Sequence, residues 1–272
     1  MTAALPVGLP VGVFDSGVGG LTVLRALRSA LPSESFLYLG DTARLPYGTK
    51  SAGTIARYAQ QAAALLVARG VKVLVVACNT ASAVAIDALR EALPGLPIVG
   101  VVEPGARAAV EASGSGRIAV IGTESTIRGG AYTRAITALR PGATVTGRAC
   151  PLFVALAEEG WVDGPIPEAI AREYLGALVA DVDVLVLGCT HFPLLAAAIG
   201  RVVGPRIAIV DSAATTAAAV AELLDAHGLR AGGDAPGADV MLATDGRERF
   251  ARVGSGFLGV PLSADAIEIV DL

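Results

Sequence analysis

A parallel α/β fold, duplicated within one chain and with a cleft between its halves, is the class this sequence predicts. Three observations predict it. A decapeptide at 71–80, VKVLVVACNT, is nearly repeated at 182–191 as VDVLVLGCTH. Each copy is a short β-branched and leucine run, of the kind that suits a strand buried on both faces of a parallel sheet. Each also ends in a thiol and a polar pair. Second, such runs alternate with segments of helical periodicity along the chain, as strand–helix–strand units with right-handed crossovers do. Third, four features recur in the same order at nearly constant offset, which an internal repeat with insertions explains.

Taken in order, residues 11–20, VGVFDSGVGG, read as a strand ending at Asp15-Ser16 and a glycine-rich turn into a helix over 21–31. The turn lacks the Lys-Ser/Thr of a phosphate loop and the G-x-G-x-x-G of dinucleotide folds, so its glycines are read as letting the backbone approach a small ligand. A second strand, 36–39, runs into the polar loop GDTARLPYG at 40–48, where site residues gather after a strand. Asp41 and Thr42 there are equally explained by turn chemistry and helix capping. A helix over 53–70 leads into the first decapeptide, and a helix over 81–93 closes at Pro94-Gly95. A fourth strand, 98–102, ends at Glu103-Pro104.

The pattern then restarts. A strand over 118–121 ends at Gly122-Thr123, the counterpart of Asp15-Ser16. A helix near 130–139, a strand around 143–147, the segment 150–160 and a helix over 167–180 lead to the second decapeptide. A helix over 194–203 and a strand over 207–210 ending at Asp211-Ser212 complete the copy. The remainder holds an alanine-rich helix to His227, a Gly/Pro/Ala linker over 228–238, a strand over 240–244 and a helix ending near Phe257. This tail has no repeat partner and is expected to pack back on one half. The domains expected are 1–103 with 212–272, and 104–211.

Composition narrows the function classes. A chain of 272 residues can bury a proper core, and although 53% of it is hydrophobic, no apolar stretch is as long as a membrane span. The opening MTAALPVGLP has no basic region ahead of an apolar core, which disfavours a signal peptide and points to the cytoplasm. The net charge of −4, with lysines and arginines scattered, disfavours nucleic-acid binding. Three distant cysteines make no disulfide framework. With two histidines and no C-x-x-C pair, metal ligands at workable spacing are lacking.

The chemistry follows from Cys78 and Cys189. Open α/β sheets place ligands at the carboxyl ends of their strands, so the duplication presents two thiols at equivalent positions around one cleft. Such thiols could form a redox pair, ligate a metal, or act as acid and base on opposite faces of one carbon. Redox pairs want a close resolving partner and metals want more soft ligands, whereas the third option uses the symmetry directly. A cysteine is only a few per cent thiolate at neutral pH and needs help. Asp15 and His191 are placed to supply it, and a helix starting at each thiol would favour the thiolate. Cys150, beside no polar cluster, reads as a small buried hydrophobe. His227, before Gly228, reads as a helix-end residue.

At this point the motifs FDSGVGGLTV (14–23), GDTARLPYG (40–48), ACNTASA (77–83) and GCTHFPLL (188–195) closely resemble the glutamate racemases, with weaker similarity over most of the remaining chain. The resemblance implies a cofactor-independent enzyme that interconverts L- and D-glutamate, supplies D-glutamate for peptidoglycan, and works as a homodimer. It implies that Cys78 takes the α-proton of D-glutamate and Cys189 that of L-glutamate. It also implies substrate contacts at Asp15, Ser16, Tyr47, Gly48, Asn79, Thr80, Thr123, Thr190 and His191. Glu158, in LAEEG, matches a family acid near the second thiol and has Glu159 as its neighbour; Phe192 stands where many members have tyrosine. A racemase for aspartate or a related compound, and a non-catalytic protein that binds acidic amino acids, would share much of this plan.

Overall fold

The structure, a computed structural model, describes residues 6–233 and 235–272. The first run of elements is β1 (Val11–Asp15), α1 (Leu21–Ala30), β2 (Phe36–Gly40), α2 (Ala52–Ala68), β3 (Val73–Val76), α3 (Asn79–Ala92), β4 (Ile98–Gly100) and α4 (Val102–Ala112). The second is β5 (Arg117–Gly122), α5 (Glu124–Gly129), α6 (Ala131–Leu139), β6 (Thr144–Ala149), α7 (Pro151–Glu158), α8 (Pro165–Leu175), β7 (Val184–Gly188), α9 (Ala196–Val203), β8 (Ala208–Asp211) and α10 (Ser212–Ala226). The chain ends with β9 (Asp239–Ala243), α11 (Arg247–Leu258) and β10 (Ile267–Ile269).

The strands form a six-stranded sheet, β10-β9-β2-β1-β3-β4, and a four-stranded sheet, β6-β5-β7-β8. Every pairing in both is parallel. The order β2-β1-β3-β4 is that of β6-β5-β7-β8, so the duplicated decapeptides are equivalent inner strands, each flanked by the strand that opens its half. Both are buried along their whole length. In β3, Val73 and Val75 enter one apolar cluster while Leu74 and Val76 enter another, the pattern of a strand covered on both faces.

Four expectations are corrected. The stretch after β4 is not the end of a strand at 102 but the helix α4; Pro104 lies in its first turn, where a missing N–H leaves no hydrogen bond unmade. The helix near 130–139 is α6, but a further short helix not expected from the sequence, α5, precedes it, the two being separated at Gly130 with φ +63. Helix α3 starts at Asn79, two residues earlier than its periodicity suggests, because Cys78 caps it. The tail is not wholly without a counterpart: α10 follows β8 as α4 follows β4. What the first half alone possesses is β9, α11 and β10, which widen its sheet.

The two halves share one core. A single apolar cluster includes Val13 and Leu24 of the first half, Leu185 and Phe192 of the second, and Ala217, Val220 and Leu224 of α10. At the foot of the first sheet, Lys72 and Glu34 are fully buried and form an ion pair at 2.6 Å. Lys72 Nζ also donates to the carbonyls of Val7 (2.7 Å) and Leu229 (2.8 Å), tying both flanking segments to the decapeptide.

Candidate active site

The carboxyl ends of β1, β3, β5 and β7 converge on a cavity of about 360 Å³. Cys78 and Cys189 both line it, as do Ser16, Tyr47, Gly48, Asn79, Thr80, Thr123, Glu158, Thr190 and His191. Asp15, of all the site residues expected from the sequence, does not reach the wall. It is buried behind it, with Oδ2 accepting from the Gly17 N–H at 3.0 Å and Oδ1 without a hydrogen-bond partner. Among the described lining residues there is no lysine or arginine, so an anionic ligand would be met by hydroxyls and peptide dipoles.

The glycine-rich turn lines the cavity at Ser16, Gly17 and Val18, and beyond them it has a second use. A methyl on Gly19 would stand 2.5 Å from His191 Cε1 and 2.6 Å from Nδ1. A methyl on Gly20 would stand 2.5 Å from Asp15 Cβ. Gly20 thus lets the turn pack on its own half, while Gly19 lets the first half press against the Thr190-His191 segment of the second, and Thr22 Oγ1 seals that contact by donating to the Thr190 carbonyl at 2.9 Å. Gly48 is pressed in the same way against Thr123, whose Cβ would lie 2.9 Å from an added methyl.

Several expected substrate contacts also stitch the halves together. Tyr132 donates to Asn79 Oδ1 at 2.7 Å, and Asn79 Nδ2 reaches Ser212 Oγ at 3.4 Å. The hydroxyls of Thr80, Thr123 and Thr126 form a closed triangle with edges of 2.9, 3.2 and 3.0 Å. Tyr47 is held by Asp41, whose carboxylate takes a short hydrogen bond from the phenol, one from Arg44 Nε at 2.7 Å and one from Thr244 Oγ1 at 3.1 Å. Asp41 makes no side-chain cap to the short helix after it, so the capping explanation gives way to this network.

The two thiols are equally buried and differently served. Cys78 is the N-cap of α3: its sulfur accepts the Ala81 N–H at 3.5 Å and donates to Ser16 Oγ at 3.7 Å. The positive helix end favours a thiolate there, but burial, reinforced by the negative charge of Asp15, outweighs it and pushes Cys78 up to about 12. Burial likewise holds the Asp15 carboxyl above its ordinary range. Cys189 precedes a single 3₁₀ turn, Phe192–Leu195, so the expected helix start is met only at Cys78. Instead Cys189 Sγ lies 3.8 Å from His191 Nδ1, and His191 Nε2 lies 3.2 Å from Glu158 Oε1. Burial alone would lower the imidazole, yet its hydrogen bonds to Cys189 and Glu158 overcome this and lift it to about 10. The bond to His191 holds the Glu158 carboxyl below its ordinary range.

Cys150 is fully buried in the shared core, and His227 is the C-cap of α10. Reading the sequence missed Pro151, Val154 and Ala155, which line the cavity with Glu158. Their spacing, one face of a helix over two turns, is the signal that could have found them. Among the described residues no three of His, Cys, Asp or Glu gather to hold a metal ion, and no helix is long and apolar enough to cross a membrane.

The chain is similar to known proteins over most of its length. The profile of the family described as Asp/Glu/Hydantoin racemase matches residues 20–220. A glutamate racemase from Geobacter metallireducens is 53% identical over 250 residues, 92% of each chain. Among solved structures, glutamate racemase from Thermus thermophilus in complex with β-chloro-D-alanine superposes with a TM-score of 0.89 at 45% identity, over 98% of both chains. That from Francisella tularensis in complex with D-glutamate gives 0.90 at 35%, over 97% of this chain and 98% of the other.

Proposed function

We propose that this chain, which belongs to the Asp/Glu/hydantoin racemase family and within it to the glutamate racemases, inverts the α-carbon of glutamate by passing protons through Cys78 and Cys189 on its two faces. The observation that carries the reading is that both thiols line one cavity, Cys78 beside the Ser16 hydroxyl and Cys189 beside the His191 imidazole. His191, lifted to about 10, sets a positive charge beside Cys189, while burial keeps Cys78 a thiol.

In the L-to-D direction the Cys189 thiolate takes the α-proton: the C–H bond breaks, an S–H bond forms, and the electron pair stays on the α-carbon. The Cys78 thiol then delivers its proton to the opposite face, leaving Cys78 as thiolate, and the D-to-L turnover runs these steps backwards. Asp15 acts on Cys78 in the opposite sense to His191 on Cys189: its negative charge holds that thiol protonated, whereas an imidazolium favours a thiolate. The hydroxyls of Ser16, Thr80, Thr123 and Thr190, the Tyr47-Gly48 loop, and the first N–H groups of α3 at Asn79 and Thr80 bind the two carboxylates. The D-glutamate ligand of the Francisella relative is consistent with a pocket of this kind. Supply of D-glutamate for peptidoglycan in the cytoplasm, a homodimeric assembly, and division of the chain into 1–103 with 212–272 and 104–211 belong to the same proposal.

The test is to incubate each glutamate enantiomer in D2O with the protein and nothing else, following optical rotation and α-deuterium. Both should change together. Cys78→Ser and Cys189→Ser should each lower racemisation by at least about a hundredfold, the scale of a lost acid or base. Near-normal turnover in either variant would remove that thiol from the mechanism.

A further inference from the structure

Helix α11 belongs to the segment only the first half possesses, and it reaches the relay behind Cys189 at two points. Arg249 Nη2 donates to Glu158 Oε2 at 2.8 Å, while His191 occupies the other carboxylate oxygen. Eight residues on, the buried ring of Phe257 stands T-shaped against the His191 imidazole, with centroids 5.0 Å apart and planes at 78°. The helix is itself anchored on the first half: Phe250 packs against Tyr38, and Gly254 fits so closely to Leu21 that an added methyl would lie 2.7 Å from its Cδ1. Glu158 lies at the end of α7, in the other half.

A pair with one half-exposed partner is ordinarily worth little, because water screens it and two side chains lose freedom. Here the arginine side chain is 51% exposed, but the carboxylate it holds is only 19% exposed and shared with a buried imidazole. Fixing that carboxylate fixes the rotamer on which the imidazole depends. The groups facing His191 are Cys189 and Thr190 from its own segment, Glu158 from α7, Phe257 from α11, and the charge of Asp15 from β1.

We infer that Arg249 is a positioning residue for the Cys189 proton step, holding Glu158 against His191 from the opposite half, so that the relay is complete only when the two halves are closed on one another. This rests on the reading of Cys189 as a base.

The chain has only two histidines, so nitrogen NMR of their side chains separates His191 from His227. In Arg249→Ala, His191 should titrate about one unit lower, about a tenfold smaller imidazolium share at a given high pH, and kcat should fall about tenfold with KM little changed. Arg249→Lys should recover most of both. A wild-type His191 titration in Arg249→Ala, or an Arg249→Lys variant no better than alanine, overturns the inference. The titration needs no substrate, so it stands apart from the cysteine variants: their retained turnover would sink the two-thiol mechanism without moving this measurement.

Discussion

His191 stands 3.8 Å from the sulfur of Cys189, whereas the side chain nearest in kind to Cys78 is the uncharged hydroxyl of Ser16 at 3.7 Å. With burial equal, that difference in partners gives the two thiols different surroundings. It also makes stability depend on pH in a defined way. His191 is lifted to about 10 from an ordinary 6.5, so its contribution is full below pH 6.5 and is lost as pH rises through about 10. Glu158 is lowered from an ordinary 4.5, so its contribution is full above pH 4.5 and is lost as pH falls further. The difference in unfolding free energy between the chain and Glu158→Gln should therefore peak between pH 4.5 and 6.5 and shrink on both sides. Urea melts across this range should place the peak at about 2 kcal/mol, as for a hydrogen bond to a charged group. A difference that does not vary with pH would rule out the pairing.

Among the elements, β3 carries the most. Its upper end delivers Cys78 to the cavity, and just below its lower end Lys72 is buried against Glu34 with two carbonyls as further acceptors. Removing the ammonium leaves a carboxylate buried and unpaired, a costlier state than never having had the pair. Lys72→Ala should lose about 3–5 kcal/mol in a denaturant titration. A loss below about 1 kcal/mol would mean that water reaches Glu34. The equivalent position in β7's decapeptide is Asp183, which instead accepts from Ser113 Oγ (2.6 Å) and the Ser115 N–H (2.7 Å) nearer the surface. The repeat thus keeps the working end of the strand and lets the other end diverge.

At the scale of the whole molecule, the halves are joined by an apolar cluster that includes both sheets, and by polar contacts at the cavity rim such as Tyr132 to Asn79. Neither half can melt without exposing the shared core. Heating should give one transition with equal calorimetric and van't Hoff enthalpies, and two resolved transitions in a calorimeter would show that the halves unfold separately. The same joint ties the His191–Glu158 pair to the closed arrangement, because Gly19 and Thr22 of the first half abut Thr190 and His191 of the second.

The sequence by itself determined the duplicated parallel architecture, the equivalence of the two decapeptides and the presence of a thiol at each strand end. These rest on local pattern: a continuous apolar run specifies a strand buried on both faces, and its polar end specifies where the strand meets the cleft. Helix α4 escaped because Pro104 and Gly105 look like a break when only neighbours are considered, although a first helical turn tolerates proline. The tertiary structure alone decided what depends on residues far apart in the chain. It made the glycine-rich turn a joint between halves as well as part of the cavity wall, and drew Asp41 into holding Tyr47. It also brought Arg249 to Glu158, 91 residues away, and set one buried thiol beside a hydroxyl and the other beside an imidazole. Protonation state is set by burial and by charges within a few ångströms, and such neighbours exist only once the chain has folded.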